Sequence, residues 1–439
     1  MSNPTKNLMK DYFALRSKPT KQNFQKGDVL VLFGELFNRG YANGLVEEAE
    51  KNGLRVVRAT VGRRDAEGNL RALTAEETEN IPKPFINIPL EAGFDLEKDE
   101  LGKSPNDYLH GVKLSEWQNA GVPEKSLLEC KEKGRKRFRA NTQKFLAELE
   151  PYLTPGRHVH FAHLMAGGVP RCKIVMPLMN RVFKGLGDRF LASDLFWNSG
   201  IGQFLKYNFL EVTAETFNIL LEESTSLREK IKAQGGSTSY VAYGYHGTEI
   251  IIENNYQWQS YAPYIQGWAK VALENHSKSW SQKGVHTCVY NCPEILTNSS
   301  SIFQGVEIPL YNLIRAFEKE MPTHPLTEKM KESCKLALKE DATMSQVFAL
   351  VDKFLASETF QKTSVYENWP QHSQKDQLEL ALSTSDSIIA LHKDEKSLMT
   401  ATLSELIFKA CGYIMLHEGV KPQAPVAWIG HDVVVKSLV

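Results

Sequence analysis

Hydroxyls and one ammonium crowd a short stretch, Tyr261-Ala-Pro-Tyr264-Ile-Gln-Gly267-Trp-Ala269-Lys270, with eight residues between Tyr261 and Lys270. A phenol can give a proton or hydrogen bond to a substrate oxygen, and a nearby ammonium lowers its pKa for that work. The same residues also suit a helix that packs its aromatic face while Lys270 snorkels. A second set lies far upstream, in Gly34-Glu-Leu-Phe-Asn-Arg-Gly40-Tyr41-Ala42-Asn-Gly44. Glycines there would let a pyrophosphate approach the backbone at a helix N-terminus, although the run is not G-x-G-x-x-G and plain turn geometry also asks for glycine. Tyr245, in Tyr243-Gly-Tyr245-His-Gly247-Thr-Glu249, is a further hydroxyl, or simply an aromatic at a strand end.

Elements must position these groups. Residues 28–33, Asp-Val-Leu-Val-Leu-Phe, form an apolar run that ends at Gly34, as a strand buried on both faces should. Leu45, Val46 and Ala49 then mark a helix face, Asn52-Gly53 a stop, and residues 54–60 a second strand, which makes a βαβ unit. Further strands are expected at 85–88, 158–163, 239–243 and 285–290, with helices at about 123–149, 200–233 and 263–280. This alternation predicts a doubly wound parallel sheet. After about residue 318 the pattern turns helical, near 327–340, 344–356 and 397–417, with a candidate last strand at 426–429.

Composition narrows the chemistry. The 439 residues carry 52 basic and 52 acidic side chains, which argues against a general nucleic-acid binder. No secretory signal and no apolar run of the roughly 18 residues needed to span a bilayer is evident, so a cytoplasmic protein is expected. Six scattered cysteines read as reduced and buried, Cys288 and Cys292 among them. His158, His160 and His163 lack a neighbouring carboxylate and read as satisfied strand histidines rather than metal ligands. The basic run Lys131–Arg139 suits an acidic carrier protein, a nucleic-acid backbone or, more ordinarily, a solvated helix face.

Taken in order over residues 28–311, these motifs resemble the enoyl-acyl-carrier-protein reductases of the short-chain dehydrogenase/reductase superfamily. Gly-x5-Gly-x-Ala-x-Gly resembles their glycine loop, with Gly40 where Ser is usual. Tyr-x8-Lys with Gly-x-Ala-Lys resembles the metagenome-derived, triclosan-resistant branch, and Tyr245-x-Gly-x-Glu resembles the strand end that carries an additional active-site tyrosine. The resemblance implies a Rossmann-type catalytic domain over 1–318 with insertions at about 66–155 and 169–200, then a mainly helical extension over 319–439.

It also implies reduction of the C2–C3 double bond of a trans-2-enoyl thioester, with acyl carrier protein as a candidate carrier and a hydride from NADPH or NADH. Tyr261 would be the acid with Tyr264 as its rival, Tyr245 a second hydroxyl, and Lys270 the group on the nicotinamide ribose. Gly34, Gly40, Tyr41, Ala42, Gly44, Ala166, Gly167, Gly168, Pro293 and Thr297 would line the cofactor, and Tyr264, Ser299 and Ser300 the substrate. Arg63 and Arg64, at the end of the second strand, suit a 2′-phosphate and favour NADPH, with Asp65 as an acidic alternative. Dimers and tetramers occur in the superfamily, so a homo-oligomer stays open. Two rivals remain, a carbonyl reductase using the same tyrosine and a non-enzymatic scaffold that binds the cofactor.

Overall fold

The computed structural model describes residues 13–165, 167–184, 193–259, 267–297, 305–362, 364 and 375–439. Its strands run β1 (Phe13–Leu15), β2 (Val29–Glu35), β3 (Arg55–Thr60), β4 (Arg63–Arg64), β5 (Leu70–Arg71) and β6 (Phe85–Pro89). They continue as β7 (His158–His163), β8 (Ser237–Gly244), β9 (Thr248–Ile252), β10 (Asn255–Gln259), β11 (Thr287–Asn291) and β12 (Val426–Ile429). Eight form one parallel sheet in the order β1-β12-β11-β8-β7-β2-β3-β6, while β4–β5 and β9–β10 are hairpins. From β2 the chain fills β3 and β6 outward, then returns to β7 on β2's other side. That reversal opens a crevice at the C-terminal ends of β2 and β7, where ligands of such sheets bind.

Alternate residues of each strand enter opposite cores. Leu30, Leu32, Ala162 and Val241 face one side with Leu45 and Ala49 of the helix Tyr41–Lys51. Val31, Phe33, Phe161 and Ala242 face the other, where Phe33 meets Phe138 and Phe145 edge-on, with ring centroids 5.9 and 5.6 Å apart.

Two expectations are revised. The helix Glu124–Leu149 is no outlying insertion, because its apolar stripe covers the sheet between β6 and β7 as a crossover helix must. Phe94, Trp117 and Phe196, from the two expected insertions, share a third apolar cluster with Phe204 of the helix that follows. The change of character near 318 does not separate two bodies: β12 lies inside the main sheet, and β1 pairs with it.

The helix Thr400–Glu418 is locked to Tyr41–Lys51 at backbone distance, since a Cβ on Gly44 would stand 1.9 Å from the Phe408 carbonyl oxygen. Residues 395–418 are, contrary to the sequence reading, long and apolar enough to cross a membrane, but half of that stretch is buried within the fold. Such burial is what a core helix requires.

Candidate functional site

Lys270 sits in the first turn of the helix Gly267–Gln282, which runs between β10 and β11 and lays Leu273 on the sheet. Its side chain is 2% exposed, and its ammonium donates to the Tyr243 carbonyl at the end of β8, 2.8 Å away. Burial pushes the Lys270 pKa down to about 8, against an opposing pull from Cys292. The snorkelling alternative therefore fails.

Tyr243 in turn belongs to a group of aromatic rings. Tyr41 stacks on Tyr243 and meets Tyr245 edge-on, each with ring centroids 5.7 Å apart, and its hydroxyl donates to the Pro293 carbonyl. The Tyr243 hydroxyl is buried and has no hydrogen-bond partner among the described residues. Tyr41, Tyr243, Tyr245, Lys270 and Pro293 thus come together from four segments. Tyr261, Tyr264, Ala166, Ser299 and Ser300 lie outside the described residues. Thr297 is half-buried, and its neighbour Leu296 donates its N–H to Ser404 of the helix Thr400–Glu418 at 2.9 Å.

The glycine loop divides by role. Gly34 has φ 125°, and a Cβ there would crowd Leu164 and Met165 at 3.1 Å, so it needs glycine for β2 to end against the segment after β7. Gly40 caps the helix Tyr41–Lys51 with extended backbone and no side-chain cap, and a Cβ there would have open space around it. No side chain of Gly40 thus claims the first-turn N–H groups, donors of the kind that suit an anion. Ala42 is half-buried beside them. Gly44 is spent on the crossing with Phe408, so its direct reason is helix packing rather than contact with a cofactor.

Gly167 and Gly168 have φ 91° and 97° and are tied by Thr213 Oγ1 (3.2 Å) and Asn208 Nδ2 (2.5 Å) to the helical run Gly200–Glu223, interrupted there by a π turn at Glu211–Glu215.

The arginines are already matched. Arg63 grips the Glu35 carboxylate with two bonds of 2.8 and 2.9 Å, and Arg64, 9% exposed in its side chain, holds Asp95 with two of 2.7 Å. Asp65 accepts from Asn69 in the β4–β5 turn. The two arginines expected to suit a 2′-phosphate are thus each engaged by a carboxylate of this chain.

Three residues escaped the sequence reading as site components. His163, the last residue of β7, lies at the crevice, and burial, then the charge of Lys270, hold its pKa well below the ordinary value. Its Nε2 is 2.8 Å from Thr216 Oγ1, whose own proton goes to the Val212 carbonyl, so Nε2 carries the hydrogen. Glu274 and Asn291 meet near Lys270, with Asn291 Nδ2 2.7 Å from Glu274 Oε1. The i, i+4 spacing from Lys270 was the available signal for Glu274. His158 and His160 spend ring nitrogens on Ser237 and Ser239 of β8.

Comparison with known proteins adds a family. The family described as enoyl-acyl carrier protein reductase FabMG matches residues 11–438 of this chain. A solved apo structure of FabMG, described as a novel type of enoyl-acyl carrier protein reductase, superposes with a TM-score of 0.93 at 42% identity, covering 98% of both chains. An NADH-bound structure of FabMG matches with a TM-score of 0.78 at 36% identity, over 98% of this chain and 99% of its own. No curated protein matches.

Proposed function

The chain belongs to the FabMG family of enoyl-acyl carrier protein reductases, and from that premise we propose which of its residues perform the reduction and which nicotinamide nucleotide it takes. The reaction is reduction of the C2–C3 double bond of a trans-2-enoyl thioester. The nicotinamide, when bound, supplies the hydride. Everything else falls to the protein.

The carrying observation is the buried ammonium of Lys270 at the C-terminal edge of β8. A fixed positive charge in a water-poor crevice stabilises negative charge that develops nearby far better than the same group in water. We assign the Tyr261 hydroxyl to the thioester oxygen, where charge develops, with Tyr245 beside it and Tyr264, Ser299 and Ser300 lining the acyl path. Lys270 holds the ribose and keeps the potential positive. The fit for a dinucleotide rests on Gly34, the uncapped helix end at Gly40-Tyr41-Ala42, the Gly167-Gly168 turn and the Pro293–Thr297 segment, with Ala166 as a further contact.

We assign NADH as the preferred reductant. A 2′-phosphate near β3 and β4 would have to displace Glu35 or Asp95 from its arginine or bear their repulsion. Acyl carrier protein in the cytoplasm is the matching carrier and compartment.

The test is to titrate both nucleotides and follow reduced-nicotinamide absorbance after adding a crotonyl thioester, with a 3-oxoacyl thioester alongside. We expect consumption with crotonyl substrate only, and an NADH Kd at least roughly tenfold below that for NADPH, about 1.4 kcal/mol. Equal or tighter NADPH binding sinks the nucleotide assignment. Full turnover by Tyr261→Phe removes that tyrosine from the mechanism.

A further inference from the structure

One turn beyond Lys270, the same helix sends a carboxylate inward. Glu274 is 1% exposed. Its Oε1 accepts from Asn291 Nδ2 at 2.7 Å, and both its oxygens lie 3.2 Å from His246 Nδ1. The contact closes on itself, because Asn291 Oδ1 in turn accepts the His246 backbone N–H at 2.8 Å. Space is tight: a Cβ on Gly244 would stand 2.4 Å from that same Oδ1. Burial pushes the Glu274 pKa up, but the His246 ring, the Asn291 amide and Lys278 together leave it below the ordinary value, so the carboxylate is ionised.

A buried carboxylate costs desolvation that an apolar side chain would avoid. What it gains here is a junction between segments. His246 directly follows Tyr245 on the turn after β8, and Asn291 ends β11 two residues before Pro293, the acceptor of the Tyr41 hydroxyl. Lys270 already ties its helix to the end of β8 through Tyr243. Glu274 adds the second tie, to the ends of both β8 and β11.

We propose that Glu274 is a positioning residue of the reductase, which through Asn291 and His246 holds Tyr245 and the Pro293–Thr297 segment in place relative to the Lys270 ammonium. The inference rests on the assignment of Lys270 and Tyr245 made above. Positioning within fractions of an ångström governs turnover in such constellations, so its loss reads out in kcat beyond any loss of stability.

A reciprocal exchange tests it. Glu274→Gln keeps only one of two acceptor contacts, because an amide oxygen turned to Asn291 Nδ2 sets the amide N–H against His246 Nδ1, and the reverse turn sets it against Asn291; Asn291→Asp sets two carboxylates together. In the double variant the amide now at position 274 donates to the carboxylate now at position 291, while the amide oxygen still accepts from His246, so the junction re-forms with its polarity reversed. We expect kcat for crotonyl thioester to fall roughly tenfold or more in each single variant and to recover to within about threefold of wild type in the double. Single variants that keep kcat and KM within about twofold while only melting earlier would make Glu274 merely structural. A double variant that recovers no activity, folded or not, overturns the proposal. Lys270→Met is measured in parallel: near-normal turnover there defeats the underlying site assignment, whatever Glu274 does.

Discussion

Two helices of this protein carry their charge in opposite ways. Glu124–Leu149 carries the dense run Lys131–Arg139, yet Arg135 meets Glu211 at 2.5 Å, Arg137 meets Glu97 at 2.5 Å and Arg139 meets Glu222 at 2.7 Å. Its cations form a half-exposed lattice with carboxylates from neighbouring segments, and no uncompensated basic face remains at those three arginines. Gly267–Gln282 is far less charged, but its Lys270 and Glu274 are 2% and 1% exposed. Exposed ion pairs contribute about 0–1 kcal/mol each, whereas an interior ion costs several kcal/mol that something must offset. A single buried charge at a crevice is therefore the stronger functional signal, and a long basic run the weaker one.

The sharpest way to break this contrast is Lys270→Met. We expect kcat to fall roughly 10²–10⁴-fold, the range of a lost acid-base partner, in a protein that folds at least as well. pH sharpens it further. The folded Lys270 pKa is about 8, and a free lysine lies near 10.4. As pH rises through about 8 the folded state loses the ammonium while the unfolded chain keeps it. Stability contributed by this group therefore rises between about 8 and 10.4, because the unfolded state binds the extra proton there. Activity should fall over the same first step. Opposed trends in kcat and denaturation midpoint, both absent in Lys270→Met, identify the lysine; parallel trends would not.

A smaller effect is expected at the buried pair of Arg64 and Asp95, whose side chains are 9% and 1% exposed. Arg64→Ala strands the Asp95 carboxylate, at a cost of about 3 kcal/mol or more in denaturant unfolding. If the arginine serves only that pair, the ratio of NADH to NADPH affinity stays within about twofold; a ratio shifted tenfold would return Arg64 to the nucleotide site.

Most of the sheet was legible because its strands are continuous apolar runs, as in β2 and β7, and its helices carry clear stripes, as at Leu45 and Ala49. The short β1 escaped, since three residues show no periodicity and their only reason to be extended is a non-local partner, β12. The β9–β10 hairpin escaped too, its turn passing through Glu253 at φ 56° with no Asn-Gly or Gly-Gly signal. Of the candidate site, Lys270 and the glycines could be picked out from spacing. The partners of Arg63, Arg64 and Asn291 were not, because Glu35, Asp95 and Glu274 reach them only through tertiary contact. Glycine roles were equally hidden: Gly40 and Gly44 read alike, but only the fold brings Phe408 against one of them.

The least disruptive change tests the other helix. Arg139 is 39% exposed in its side chain and bridges Glu222, at 2.7 Å, and Glu223. Those carboxylates close the helix Thr216–Glu223, where the backbone's own negative end makes an uncompensated acid mildly unfavourable. Arg139→Ala should thus cost about 1 kcal/mol or less, and less again in 1 M salt, which screens charges beyond about 3 Å. Turnover of crotonyl thioesters should stay within about twofold of wild type on coenzyme A and on acyl carrier protein alike. A fall in kcat/KM confined to the carrier-protein substrate would mean that the basic run docks an acidic partner despite its internal pairing. Local neutralisation would then be no guide to what a charged helix does, and burial alone would no longer separate the two helices.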